Sequence, residues 1–226
     1  MSQREFDRNL RYSCGTLRDS DAITRALLRT VLSRYADCAP SQWEFAEDTL
    51  GKPYILRPRT QLYFNLSHTV DWVACAVARF AYLGIDIERC SRDPAVMRLA
   101  DRFFSPREYA DLLNLPEEKR KNRFFDYWTL KESYIKARGE GISLGLGKFS
   151  FAIFSADNIE IECQPELREN PGAWHFSLSS LHGDHRLALA ARPPQPIAAL
   201  DVKRFFTVPL SGLITGAEVT GGSAPP

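Results

Sequence analysis

The sequence predicts an α+β protein, and three features carry that prediction. Short runs of alternating or wholly apolar residues, read as strands, cluster before residue 90 and again after residue 148. Between the clusters lie helical patterns, the longest over residues 122–137 and ended by Gly139. Strands, then helices, then strands again is the order of an α+β chain, not of a regular α/β alternation.

The elements follow in order. A helix is expected over residues 21–35, where Ile23, Leu27, Leu28, Val31 and Leu32 form one apolar stripe. Asp19, Ser20 or Asp21 can cap it, and Arg25 and Arg29, four apart, share a face. Residues 62–66 alternate as a strand. Residues 72–80 read as a second strand, with only Ala74, Ala76 and Ala78 on one side, the pattern of a tightly covered face. Residues 82–88 make a third. A helix over 95–104 stops at Ser105-Pro106, and Pro106 can open another through residue 113. Beyond the long helix, strands are expected over 149–154, 159–163, 174–178 and 186–191. The segment His182-Gly183-Asp184-His185 reads as a hairpin turn rather than a metal pair. Arg192-Pro193-Pro194-Gln195-Pro196 ends the last strand, and residues 209–226 have little to pack, so a disordered tail is expected there.

Composition narrows the class. The chain has 226 residues, 44% apolar and 25% charged, enough to build a core without disulfides or a structural metal. A net charge of +1 offers no general attraction to nucleic acid or a membrane surface, so any anion site must be local. Five widely spaced cysteines without a C-x-x-C pair argue against a disulfide framework and suit the cytoplasm. The first residues carry no apolar run of a signal peptide, and no segment approaches the roughly 18 apolar residues of a membrane span.

Three segments could carry chemistry. In Gly84-Ile85-Asp86-Ile87-Glu88 the strand alternation puts Asp86 and Glu88 on one face. Adjacent carboxylates repel unless a cation joins them, and hard divalent cations prefer such oxygens. The alternative is a solvated strand face. In the second segment, over 128–136, Trp128, Glu132 and Lys136 are four apart and share a helix face. The alternative there is a routine surface Glu–Lys pair. The third, Asn65-Leu66-Ser67-His68, ends a strand with a hydroxyl and an imidazole that can both donate to a phosphate.

Taken together and in order, these segments resemble the Sfp-type 4′-phosphopantetheinyl transferases. The resemblance rests on Gly51-Lys52-Pro53, Phe64-Asn65-Leu66-Ser67-His68, the Gly84–Glu88 segment and Arg102-Phe103-Phe104-Ser105-Pro106-Arg107-Glu108. It continues with Trp128-Thr129-Leu130-Lys131-Glu132-Ser133-Tyr134-Ile135-Lys136 and Gly139-Glu140-Gly141. The match covers roughly residues 20–192. It implies a pseudo-dimer of two similar halves, each a small, mostly antiparallel sheet packed with helices. The halves would be 1–90 and 91–208, with coenzyme A in the cleft between them.

The resemblance also implies an activity: transfer of the 4′-phosphopantetheine arm of coenzyme A to a serine of an acyl or peptidyl carrier protein, with release of 3′,5′-ADP. Asp86, Glu88 and Glu132 would hold Mg²⁺, with Mn²⁺ as the alternative ion. The base would be Glu132, Glu108 or a metal-bound water, and Lys136 would balance the pyrophosphate charge. Lys52, Ser67 and His68 would bind the nucleotide end, with Lys131, Arg25, Arg29 or the Arg8–Tyr12 segment as further anion contacts. The apolar residues between Pro106 and Phe125 either face the carrier or form core. A monomer is expected. Two other readings remain open at this point: a metal-dependent phosphodiesterase, and a non-catalytic protein that binds coenzyme A or a carrier.

Overall fold

Two hydrophobic cores, each under one long helix, organise the chain in the computed structural model, which describes residues 3–91, 95–181, 184–207 and 214–216. The first collects Leu28 and Leu32 of helix α2 (Gly15–Leu32) with Trp43, Leu62 and Phe64. Around it lie two hairpins, β1 (Glu44–Glu47) with β2 (Pro53–Arg57), and β3 (Tyr63–Thr69) with β4 (Trp72–Ala78). A short helix, α1 (Gln3–Asn9), precedes α2. The second core is larger. It lies under helix α5 (Glu117–Arg138) and joins Phe124, Phe125, Leu130 and Tyr134 to Phe149, Phe151 and Phe176. This half contributes α3 (Val96–Phe103), α4 (Pro106–Asn114) and a hairpin of β6 (Phe149–Ile153) and β7 (Ile159–Cys163). It also contains a sheet in the order β5 (Tyr82–Arg89), β9 (His185–Arg192), β8 (His175–Leu181), antiparallel throughout. Antiparallel sheets with helices on one side make the expected α+β architecture of two halves.

The expected division at residue 90 falls at the end of β5, yet that strand is laddered to β9, from the far end of the chain. It therefore stands at the junction of the halves.

Several boundaries differ from the sequence reading. α2 begins at Gly15, so Asp19, Ser20 and Asp21 lie inside it; Asp21 accepts from Arg25 and Asn9 instead of capping. α1, β1 and β2 were not anticipated, because they are short and largely exposed and carry little periodic signal. β4 is half-buried along its whole length rather than tightly covered. α5 starts at Glu117, whose acidic first turn suits the positive end of the helix dipole. Gly139 ends it in the left-handed conformation (φ 74°), as expected. Ser105 and Glu108 form a reciprocal capping box on α4, with Pro106 in its first turn. Part of the tail expected to be disordered is ordered: Ile214–Gly216 pairs as β11 with β10 (Phe205–Thr207). The rest of 209–226, and the His182-Gly183 turn, lie outside the described residues.

One contact sets the spacing between α5 and its sheet. A Cβ on Gly84 would lie 2.0 Å from the Ser133 carbonyl oxygen and 2.5 Å from the Ala137 nitrogen, so helix and strand touch backbone to backbone. Ala190, directly opposite Gly84, and Ala188, opposite Asp86, are fully buried. Gly84→Ala is therefore expected to cost ~3 kcal/mol or more by overpacking. Urea unfolding checks this, and a loss under ~0.5 kcal/mol, the size of an ordinary surface change, would contradict it.

Candidate active site

The face of the sheet that supports α5 carries Gly84, Asp86 and Glu88 on β5 and, opposite them, Ala190, Ala188 and Arg186 on β9. The small residues seat the helix, and the two acids come next along the same face. α5 meets them with Trp128, Glu132 and Lys136, brought together as their spacing requires. Trp128 Nε1 donates to Glu88 Oε1 at 3.0 Å, and Lys136 Nζ donates to Asp86 Oδ1 at 2.6 Å. Ser67 Oγ of β3 donates to the same Asp86 oxygen at 2.8 Å and accepts from Lys136 at 2.9 Å.

Asp86 is only 4% exposed, so it does not lie on a solvated strand face. Its Oδ2 is buried without a hydrogen bond. Glu132 lies half-buried between the two acids. Its carboxyl is pushed above the ordinary glutamate range, first by burial and then by Asp86, with Lys136 opposing and Glu88 adding a smaller push. One lone buried oxygen and mutually repelling carboxylates are what a hard divalent cation would satisfy, so the donor set fits one. Among the described residues, however, no three histidine, cysteine or acidic side chains form a ready-made metal cage.

The other predicted site residues divide. His68 is exposed at the end of β3, beyond Ser67. Lys52 crosses from the first half to the end of α5, where its ammonium donates to the Ala137 carbonyl at 3.0 Å. Burial pushes its pKa down, with Asp48 opposing. It also lines a cleft of about 340 Å³ with Tyr54, Thr60 and Tyr63. The cleft does not reach the carboxylates.

Several expectations need correction. Lys131 and Glu108 are completely buried as an ion pair 2.8 Å apart, so neither can touch a ligand or a substrate proton. Lys131 also donates to the Leu146 and Phe149 carbonyls, while Glu108 accepts from Phe151 and Ser105. Lys131 is the residue next to Glu132 but about 100° round the helix, which turns it into the core. Arg25 is neutralised by Glu5 and Asp21, and Arg29 by Glu5. Glu5 lies on α1, a helix the sequence did not reveal. Arg8 pairs with Glu47. Of the stretch that would either face a carrier or form core, Leu112, Phe124 and Phe125 belong to the core, while Leu113 is exposed.

Asn65 and Gly84 stand in the motifs with no role legible from the sequence. Asn65 bonds the Ile85 amide, and Gly84 admits the helix. Only the tight backbone packing revealed by the fold explains why those residue types stand there.

Comparison with known proteins finds relatives of one family. The family model described as the 4′-phosphopantetheinyl transferase superfamily (ACPS) matches residues 82–190, from the start of β5 almost to the end of β9. The chain is 41% identical over 172 residues to the 4′-phosphopantetheinyl transferase psf-1 of Bacillus pumilus, covering 76% of this chain and 70% of that protein. It is 38% identical over 168 residues to the 4′-phosphopantetheinyl transferase Sfp of Bacillus subtilis, covering 74% and 71%. Over 144 residues it is 39% identical to the 4′-phosphopantetheinyl transferase HetI of a Nostoc strain, covering 62% of this chain and 60% of HetI. It thus spans about three fifths of the length of HetI.

Two stability outcomes follow. Lys131→Met strands the buried Glu108 carboxylate and is expected to cost about 3–5 kcal/mol in urea unfolding; a cost below 1 kcal/mol would show that the pair is not needed. Glu132→Gln should act in the opposite direction. Because the folded pKa of Glu132 lies above its unfolded value, its charge opposes folding above that raised value, and the cost vanishes below the ordinary glutamate range. With EDTA at neutral pH, Glu132→Gln should melt a few degrees above wild type, and a lower melting temperature would contradict the crowding of charge.

Proposed function

The chain belongs to the 4′-phosphopantetheinyl transferase superfamily, and from that premise we propose that it moves the phosphopantetheine arm of coenzyme A onto a serine hydroxyl of an acyl or peptidyl carrier protein. 3′,5′-ADP is the leaving group. The observation that carries this reading is the meeting of β5 and α5, which brings Glu132 beside Asp86, Glu88 and the Lys136 ammonium.

Asp86, Glu88 and Glu132 would hold Mg²⁺ or Mn²⁺. Such an ion neutralises the pyrophosphate and the charge that develops on it in phosphoryl transfer. The protein's own groups do the rest. Ser67 and Lys136 fix the Asp86 carboxylate, and the Trp128 indole fixes that of Glu88. Lys136 supplies a positive charge beside the carboxylates for the departing nucleotide phosphate. The serine proton needs an acceptor. Glu108 is sealed in the core, whereas Glu132 is half-buried beside the other acids, so it is the better-placed protein base. His68, exposed at the end of β3, is assigned to the 3′-phosphate end of coenzyme A, with Lys52 as a further anion contact. Five free thiols suit a cytoplasmic protein, and no helix among the described residues is long and apolar enough to cross a membrane. Both halves of the site belong to one chain, which is consistent with a monomer.

A phosphodiesterase with the same carboxylates would release a nucleotide without a protein partner. Intact-mass spectrometry separates the two. An apo carrier incubated with the protein, coenzyme A and Mg²⁺ should gain one phosphopantetheine (~340 Da, the transferred group in this phosphoryl chemistry), and EDTA should abolish the gain. No gain on fatty-acid, polyketide or peptide carriers would overturn the proposal. Asp86→Ala and Glu132→Ala should fold yet lose transfer by at least ~100-fold, the scale of a lost catalytic group. His68→Ala should mainly raise KM for coenzyme A. Equal wild-type turnover of coenzyme A and its 3′-dephospho form would remove His68 from that role.

A further inference from the structure

The sheet face under α5 changes character along β9. Ala190 and Ala188 are small and fully buried, and the next residue on that face is Arg186. It stands directly opposite Glu88 of β5. Side chains opposed in this way on an antiparallel ladder lie about 4.5–5.5 Å apart at Cβ, and opposite charges so placed attract. Arg186 nevertheless bonds another acid. Its Nε donates at 2.7 Å to Oδ1 of Asp126 on α5. Asp126 precedes Ser133 by about two turns, so it lies on the stripe of the helix that Ser133 and Ala137 press against Gly84. The pair is largely covered, with the two side chains 12% and 17% exposed.

The surrounding charges mark one neighbourhood. Cys90, at the end of β5, is pushed up to about 11, first by burial; Arg186 opposes that push, and Asp184, Asp126 and Glu88 add to it. Arg186 therefore sits between a helix acid that it bonds and a strand acid assigned to the cation. A guanidinium bound to a carboxylate as a fork takes both of its oxygens. Arg186 on Glu88 would occupy the atoms a divalent cation needs and set a positive charge against the ion.

We propose that Asp126 is a positioning residue for the cation site: by holding Arg186, it keeps that guanidinium off Glu88 and leaves the carboxylate to the divalent ion. This rests on the metal-dependent transferase reading given above. Asp126 and Arg186 touch no reacting atom; they set which partner Glu88 takes.

The test is Mn²⁺ affinity, with coenzyme A present, of the full chain and of Asp126→Asn, Arg186→Gln and the double variant. Asp126→Asn should bind at least ~10-fold more weakly, the scale of a lost group that orients a metal ligand. Arg186→Gln should bind within about threefold of wild type or more tightly, and the double variant should return to that range, because the competitor is gone. Three results would overturn the proposal: wild-type affinity in Asp126→Asn, a double variant as weak as Asp126→Asn, or a tenfold loss in Arg186→Gln alone. The last would make the pair only a tie between helix and sheet. If Asp126→Asn does not fold, Arg186→Gln decides by the same threshold. A wild type that binds no Mn²⁺ would remove the metal reading and this proposal together, a result distinct from intact wild-type binding that Asp126→Asn leaves unchanged.

Discussion

The site depends on the close approach of α5 to β5 at Gly84. With a side chain there, the helix would have to lift, because a Cβ would overlap the Ser133 carbonyl. Once the helix is seated, the two periodicities define the arrangement. Two helix steps of four residues, from Trp128 to Lys136, advance about 12 Å, whereas the single strand step between Glu88 and Asp86 advances about 6.7 Å. Trp128 therefore reaches Glu88 at one end and Lys136 reaches Asp86 at the other, and Glu132 is left between both acids. Burial first, and Asp86 second, push its carboxyl above the ordinary glutamate range.

The same helix is held from behind by a different set of polar groups. Lys131 turns into the core and ties α5 to Glu108, to the Leu146 carbonyl and to β6 at Phe149. A buried ion pair of this kind is poor evidence for stability, because replacing both partners with apolar groups is often neutral. Its effect here is geometric. Lys131 bonds inward while Glu132, the next residue, faces the acids, so the pair fixes the rotation of the helix about its own axis. The capping box on α4 and the aromatic packing of Trp128 against Phe124 hold the surrounding frame.

Much of this was legible in the sequence. The period-two and period-four patterns placed Asp86 with Glu88, and Trp128 with Glu132 and Lys136, on the faces they occupy. Gly139 and Pro106 marked helix ends correctly, because backbone chemistry at those positions is local. What escaped was non-local. Nothing in the spacing of Glu108 and Lys131 shows that they neutralise one another in the core, since charged residues are rarely buried and the pairing needs the fold. Arg25 looked available because its partner Glu5 lies twenty residues away on a helix too short to predict. The bonds of Asn65 and Ser67 to the β5 amides escaped, because a strand that borrows side chains in place of a ladder leaves no sequence periodicity.

The central claim is that Asp86, Glu88 and Glu132 together hold one divalent cation at the junction of the halves. Mn²⁺ binding in the presence of coenzyme A, followed by electron paramagnetic resonance on the wild type and on Asp86→Asn, Glu88→Gln and Glu132→Gln, tests it directly. The account predicts one ion per wild-type chain and at least tenfold weaker binding in each variant, the scale expected when one carboxylate of a small oxygen-donor set is lost. Undiminished Mn²⁺ binding in all three variants would place the metal elsewhere and contradict the account.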